Sequence, residues 1–269
     1  MPLRMTLPQT LGARLAASDR PQFGAWVCSA SAVNAEIVAG SGLDVVLIDA
    51  EHSPNGLESI LAQLQAVAAY PVTPLVRPPF GDPVVIKQYL DLGVQNLLIP
   101  MVDSAEQAEA VVRAVRYPPH GIRGVGSALA RASRWNRIEG YLADASSTIS
   151  LFVQIESAVA VEQVERIVAV DGVDGILIGP ADLAASMGVI GEQEHPEVVA
   201  GVLRSIEAAR AAGKPAAVNA FVPAAAERYA EAGAALVLVG ADVALLARAT
   251  EALADRYIAG PTPSGRAGY

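Results

Sequence analysis

The sequence predicts an α/β protein, a single-domain (β/α)8 TIM barrel, and three observations predict it. Eight short apolar segments alternate with segments of helical spacing along 269 residues. The apolar segments are continuous runs, such as Val45-Val46-Leu47-Ile48, which marks strands buried on both faces and paired in parallel. Charged and amide side chains follow directly after several of these runs, at the strand ends where such barrels carry their chemistry. An open doubly wound sheet is the alternative architecture for the same alternation.

In chain order, residues 1–20 read as a polar leader, and residues 23–28 have strand character. A short helix over 34–39 leads through Gly40-Ser41-Gly42 to the strand 44–48. Leu57, Ile60, Leu61, Leu64, Val67 and Ala68 then recur three and four apart, which makes 55–69 an amphipathic helix. Strand 72–76 ends at Arg77. Asp82 is an N-cap for a helix opened by Pro83 and running to Asp91, because proline is tolerated in a first helical turn. Strand 97–99 follows, then a helix capped by Ser104 and ending at Val115.

The alternation continues with strand 149–155, helix 159–168, strand 175–178 and the turn Gly179-Pro180-Ala181-Asp182. Helix 196–212, strand 215–219, helix 224–232, strand 236–239 and a closing helix over 242–258 complete it. One segment breaks the rhythm: residues 117–147, with Pro118-Pro119 and Arg123, Arg131, Arg134 and Arg137, read as a long loop after strand four. Connections of this length are usually functional or interfacial. The barrel is assigned residues 21–259, and residues 260–269, rich in Gly and Pro, form a flexible tail.

A formal charge of −9 without a Lys/Arg cluster argues against a nucleic-acid partner. The longest uncharged run, residues 59–76, is interrupted by Gln63, Gln65, Pro71 and Pro74, which argues against a membrane span. Short interrupted apolar stretches around Arg4 and Arg14 do not make a secretory signal. The single Cys28 lies in an apolar run and reads as core, in keeping with a reducing cytoplasm.

Asp49, Glu51 and His52 follow strand two, Arg77 follows strand three, Gln154 and Glu156 end strand five, and Asp182 follows strand six. Glu156 and Asp182 could each offer an oxygen to a hard dication such as Mg²⁺ or Mn²⁺. Arg77 suits bidentate recognition of a carboxylate or enolate, or an ion pair with Glu51. The turn at residues 179–182 offers the backbone N–H groups of Ala181 and Asp182 to an anionic group. The two lysines, Lys87 in a helix and Lys214 before strand seven, are wrongly placed for a Schiff base.

The stretches Leu47-Ile48-Asp49-Ala50-Glu51-His52, Pro74-Leu75-Val76-Arg77-Pro78, Ile86-Lys87-Gln88-Tyr89-Leu90-Asp91-Leu92-Gly93, Pro100-Met101-Val102, Arg116-Tyr117-Pro118-Pro119, Gly121-Ile122-Arg123-Gly124-Val125-Gly126, Gln154-Ile155-Glu156 and Gly179-Pro180-Ala181-Asp182-Leu183 together resemble the metal-dependent (class II) pyruvate aldolases. This is the family of 4-hydroxy-2-oxoheptanedioate aldolase and 2-dehydro-3-deoxyglucarate aldolase, and the similarity runs from about Phe23 to Ile258.

The resemblance implies reversible cleavage of 4-hydroxy-2-oxo acids to pyruvate, or a similar 2-oxo acid, and an aldehyde. It also implies a homohexamer, with the C-terminal helix packed on a neighbouring subunit. It assigns His52 as general base acting through water on the metal, with Asp91 as its partner, reached across a subunit boundary. Arg77 becomes the enolate stabiliser and Glu156 and Asp182 the ligands of Mg²⁺, Mn²⁺ or Co²⁺. Gln154 and the backbone of Ala181 and Asp182 hold pyruvate, while Asp49 supports the local turn and hydrogen-bond network.

One departure is Ala184, where relatives commonly have serine. Aldehyde choice is expected to lie with mouth loops near Arg123, Phe221 and Val222. The alternatives are an acyl-CoA carbon–carbon lyase of the citrate-lyase type and a non-catalytic 2-oxo-acid-binding barrel.

Overall fold

The computed structural model describes residues 3–258, so the tail 260–269 lies outside the described residues. Eight strands alternate with helices: β1 Gln22–Val27, β2 Val45–Asp49, β3 Thr73–Arg77, β4 Asn96–Ile99, β5 Ser150–Ile155, β6 Gly175–Ile178, β7 Ala216–Asn219 and β8 Leu236–Ala241. Each pairs in parallel with the next, and β8 pairs with β1, closing the barrel and removing every sheet edge.

The helices are α1 Leu11–Ala16, α2 Ala32–Ala39, α3 Leu57–Val67, α4 Pro83–Asp91, α5 Ala105–Val115, α6 Tyr141–Asp144, α7 Ala158–Glu162, α8 Val164–Val168, α9 Pro180–Ser186, α10 Pro196–Ala211, α11 Pro223–Glu231 and α12 Asp242–Tyr257. Asp82 accepts hydrogen bonds from the N–H groups of Val84 and Val85, and Ser104 from that of Gln107, the two caps read from the sequence. Among the described residues, no helix is long and apolar enough to cross a membrane.

The core has two shells, because side chains alternate along each strand. Val45, Leu47, Leu75, Leu98, Phe152, Leu177, Ala217, Leu236 and Leu238 fill the barrel interior. Ile48, Val76, Ile99, Val153, Ile178 and Val218 point outward and pack against the helices.

Three details depart from the sequence reading. The polar leader contains α1, whose Leu11 and Leu15 are buried within the interior cluster. Asn96 Oδ1 accepts from the Leu11 N–H at 2.7 Å and Ser150 Oγ from the Gly12 N–H at 3.1 Å, so α1 plugs the N-terminal end of the barrel. Helix 159–168 is broken into α7 and α8 at Gln163, which has φ −100° and ψ 1°. The turn at residues 179–182 continues into α9 with Pro180 in its first turn.

The long loop between α5 and β5 forms α6, two short 3-10 turns and a small core of Ala130, Ala132, Tyr141 and Ala145. By contrast, α12 buries only Asp242 against its own chain, while Val243, Leu245, Leu246, Leu253, Tyr257 and Ile258 are exposed.

Candidate active site

Strand parity decides which side chains reach the C-terminal rim. Leu47, Leu75 and Phe152 face the barrel interior. Two residues further along the same strands stand Asp49, Arg77 and Gln154, and two further again on β5 stands Glu156. Asp49 and Arg77 are paired in register across β2 and β3.

Arg77 is 5% exposed and surrounded on four sides. Its Nε donates to Asp49 Oδ1 at 2.8 Å, Nη1 lies 2.8 Å from Glu51 Oε2 and 3.4 Å from Gln154 Oε1, and the guanidinium stacks 4.4 Å from the Trp26 ring centroid. Of the two readings of Arg77, the ion pair with Glu51 is present, and the guanidinium is held in place at the rim by its four neighbours. Asp49, 1% exposed, also accepts from the backbone N–H groups of Glu51 and His52 at 3.1 and 3.2 Å. It therefore fixes both the turn carrying His52 and the direction of Arg77.

Glu156 is 8% exposed, and each of its oxygens accepts one hydrogen bond. Oε1 takes the Met101 N–H at 2.6 Å, and Oε2 takes the Gln154 amide. Burial pushes the Glu156 carboxyl above its usual range; the Met101 N–H opposes this, and the charges of Glu51 and Asp182 add to it. Glu51 is raised chiefly by burial as well, against the pull of Arg77. Despite its closeness to Arg77, Glu51 Oε2 is buried without a hydrogen-bond partner. A Cβ on Gly179 would stand 3.2 Å from Gln154 Nε2 and 3.3 Å from Glu156 Cβ, so glycine there leaves room for the pair.

Asp182 is exposed in the first turn of α9, close enough for its charge to act on Glu51 and Glu156. Among the described residues no three His, Cys, Asp or Glu side chains form a metal cage. The carboxylates of Glu156 and Asp182, with that of Glu51 nearby in its pair with Arg77, nonetheless make a donor set that suits a hard dication with open positions. The His52 side chain is 68% exposed, with Nε2 3.9 Å from Glu51 Oε2.

Asp91 is not brought to His52 within the chain. It ends α4 at the opposite, N-terminal end of the barrel, where it pairs with Arg123 at 3.2 Å. Arg123, expected near the mouth, is instead fully buried beneath Asp91 and stacked 4.6 Å from the Tyr117 ring. Burial, with the charges of Asp49 and Asp242, pushes the Cys28 thiol up to about 12, which removes it as a nucleophile. Lys214 donates to the Val170 carbonyl, away from the rim. Ala184 is fully buried in α9.

A cavity of about 540 Å³ opens beside Ala181, walled by Asn219, Phe221, Val222 and the segment 191–196. Sequence reasoning missed Trp26, whose Nε1 donates to Asn219 Oδ1 at 2.8 Å, and Met101, whose φ of 56° turns its N–H toward Glu156. Parity would have found Trp26 and Asn219, which follow interior positions two residues on; the Met101 contact has no local signal.

A buried arginine set among carboxylates at the C-terminal rim of a parallel barrel stands where (β/α)8 enzymes carry their chemistry. The chain belongs to the HpcH/HpaI aldolase/citrate lyase family, whose model matches residues 22–249. It is 53% identical over 251 residues to a 4-hydroxy-2-oxo-heptane-1,7-dioate aldolase of Salmonella dublin, covering 93% of this chain and 95% of that one. Among solved structures it is similar to an HpcH/HpaI aldolase/citrate lyase family protein from Burkholderia cenocepacia, with TM-score 0.88, 39% identity and coverage of 93% and 99%. An HpcH/HpaI aldolase from Desulfitobacterium hafniense gives TM-score 0.83 and 29% identity, covering 95% of this chain and all of the other.

Proposed function

We propose that this chain is a carbon–carbon lyase that reversibly cleaves 4-hydroxy-2-oxo acids to pyruvate, or a similar 2-oxo acid, and an aldehyde. The observation that carries the reading is Glu156: a buried carboxylate aimed by Met101 and Gln154, flanked by Glu51 and Asp182, beside a rigid Arg77. Glu156 and Asp182 would hold a divalent ion, Mg²⁺ or Mn²⁺. When bound, that ion withdraws charge from the 2-oxo acid as its enolate forms.

The chain's own residues do the rest. His52, on the turn fixed by Asp49, takes the proton of the 4-hydroxyl as the C3–C4 bond breaks, and return of that proton to C3 of the enolate completes pyruvate. Arg77 stands ready with fixed N–H donors at the developing enolate oxygen, at no cost of reorganisation. The backbone N–H groups of Ala181 and Asp182, at the start of α9, bind the carboxylate, and Gln154 orients it. The departing aldehyde extends into the cavity walled by Asn219, Phe221 and Val222. Glu192 and Glu194 border the same cavity, and their charge disfavours the phosphates of a coenzyme A nucleotide.

The working unit we propose is a homohexamer in the cytoplasm, in which Asp91 of one copy serves His52 of another. The test is incubation of the purified protein with pyruvate, Mn²⁺ or Mg²⁺ and a panel of aldehydes, with products read by mass. Metal-dependent aldol products are expected, and full activity after exhaustive chelation would overturn the reading.

A further inference from the structure

A second cavity, of about 250 Å³, lies at the end of the barrel opposite the rim, beneath the starts of β3 and β4. Arg14, Arg131 and Arg134 line it together with Thr73. In a chain of net charge −9 this concentration of cations is unusual, and among the described residues none of the three stands within salt-bridge distance of a carboxylate. Arg14 Nη1 donates to the Pro71 carbonyl at 3.2 Å, Arg131 Nη1 to Leu92 at 2.9 Å and Arg134 Nη1 to Arg131 at 2.6 Å. Each guanidinium has five N–H donors, so most remain free of these carbonyls.

Arg131 also has a structural role as a helix cap, since Leu92, whose carbonyl it meets, is the C-cap residue of α4. The C-termini of α3 and α4 point here, and each carries roughly half a negative charge. Three full positive charges exceed that demand. Gly93, at φ +89°, is what lets two of them converge: Arg134 Nη1 and Arg131 Nη1 lie 2.8 and 2.9 Å from the point its Cβ would occupy. Burial and the charge of Arg134 push the Arg131 guanidinium down to about 10, a cost that an anion between them would relieve.

Thr73 borders the same cavity, but its Oγ1 is closed to solvent. A ligand that accepts from several guanidinium groups would use the donors these carbonyls leave free. We propose that this cavity is an anion site for a phosphate-class ligand, held by Arg14, Arg131 and Arg134. Three guanidinium groups arriving from α1 and from the turn at residues 131–134 suit a tetrahedral oxyanion better than a planar carboxylate, which one guanidinium fork already matches. The site is separate from the rim and does not depend on the proposed lyase chemistry.

Calorimetric titration of the full-length protein, dialysed free of divalent metal, tests the site directly. Inorganic phosphate is one titrant and glycerol 3-phosphate the other, each against chloride at equal ionic strength. Saturable binding of one ligand per chain is expected, weakened roughly tenfold or more by Arg131→Gln and by Arg134→Gln. Tighter glycerol 3-phosphate would identify a phosphorylated metabolite as the occupant, and equal or weaker binding would identify free phosphate. Because Arg131 also caps α4, Arg14→Gln provides a variant that leaves that cap intact, and it should weaken binding. Absence of saturable phosphate binding by the wild type, or binding undiminished in all three variants, would overturn the proposal.

Discussion

Asp49 and Arg77 stand side by side at the ends of β2 and β3, in register, with Asp49 Oδ1 accepting from Arg77 Nε at 2.8 Å in a site almost closed to water. Removing one partner of a buried pair strands the other charge, at a cost of about 3–5 kcal/mol. Asp49→Ala should fall at or below the lower end, since Glu51 still faces Arg77. It should also free the turn that carries His52. Thermal unfolding should show a lowered midpoint, and turnover should fall more than pyruvate affinity. An unchanged kcat would remove Asp49 from the positioning role.

The raised carboxyl of Glu156 makes a pH prediction whose sign is fixed. A folded pKa above the ordinary 4.5 means that the folded chain holds the proton more tightly than the unfolded chain. That contribution is present below the unfolded value and is lost as pH rises through the folded one. Metal-free protein should therefore lose stability over this window, and Mn²⁺ should restore it more at pH 7 than at pH 5. Glu156→Gln should flatten the pH dependence and abolish the Mn²⁺-induced rise in Tm.

Asp91 and His52 lie at opposite ends of one barrel, so a working pair between them requires two copies of the chain. His52→Ala and Asp91→Ala should each lose on the order of a hundredfold in kcat or more. Unfolding and refolding the two inactive variants together should recover activity, as mixed assemblies unite an intact His52 with an intact Asp91. Activity that stays at the level of the separate variants would confine Asp91 to its pairing with Arg123.

Leu11 is fully buried in the barrel interior, although it belongs to a six-residue helix in a polar stretch. Leu11→Ala should cost about 2–5 kcal/mol, as in other cores. Denaturant unfolding should show this as a shift in midpoint with little change in slope.

The exposed apolar face of α12 gives a fifth outcome. Leu245 and Leu246 are 60% and 58% exposed, and a helix that buries only Asp242 gains little from its own chain. Leu245→Asp with Leu246→Asp should shift sedimentation to smaller species and make Tm fall on dilution.

The barrel was legible because continuous apolar runs have few alternatives. Asp49, Arg77, Gln154 and Glu156 were singled out for standing at or just after strand ends, and in the structure they lie together at that end of the barrel. The plug helix α1 was not, since Leu11 and Leu15 are too few to set up a periodicity and their partners, Asn96 and Ser150, are remote in sequence. The Met101–Glu156 bond was hidden for the same reason: 55 residues separate donor from acceptor. Arg123 was misplaced because a charged residue in a long loop reads as exposed, whereas its stack on Tyr117 and its bond to Asp91 bury it.

The alternation of side chains along β3 also sets what kind of change the protein tolerates. Thr73, Leu75 and Arg77 share one parity, and the site exists only while that count holds. Inserting one residue within β3 would leave composition and hydrophobicity nearly unchanged, yet it would turn Arg77 out of the barrel and into the helix layer. The same insertion in the long loop before β5 moves no rim residue from its strand. What the site requires of β3 is therefore a fixed residue count between Leu75 and Arg77 more than any particular hydrophobicity.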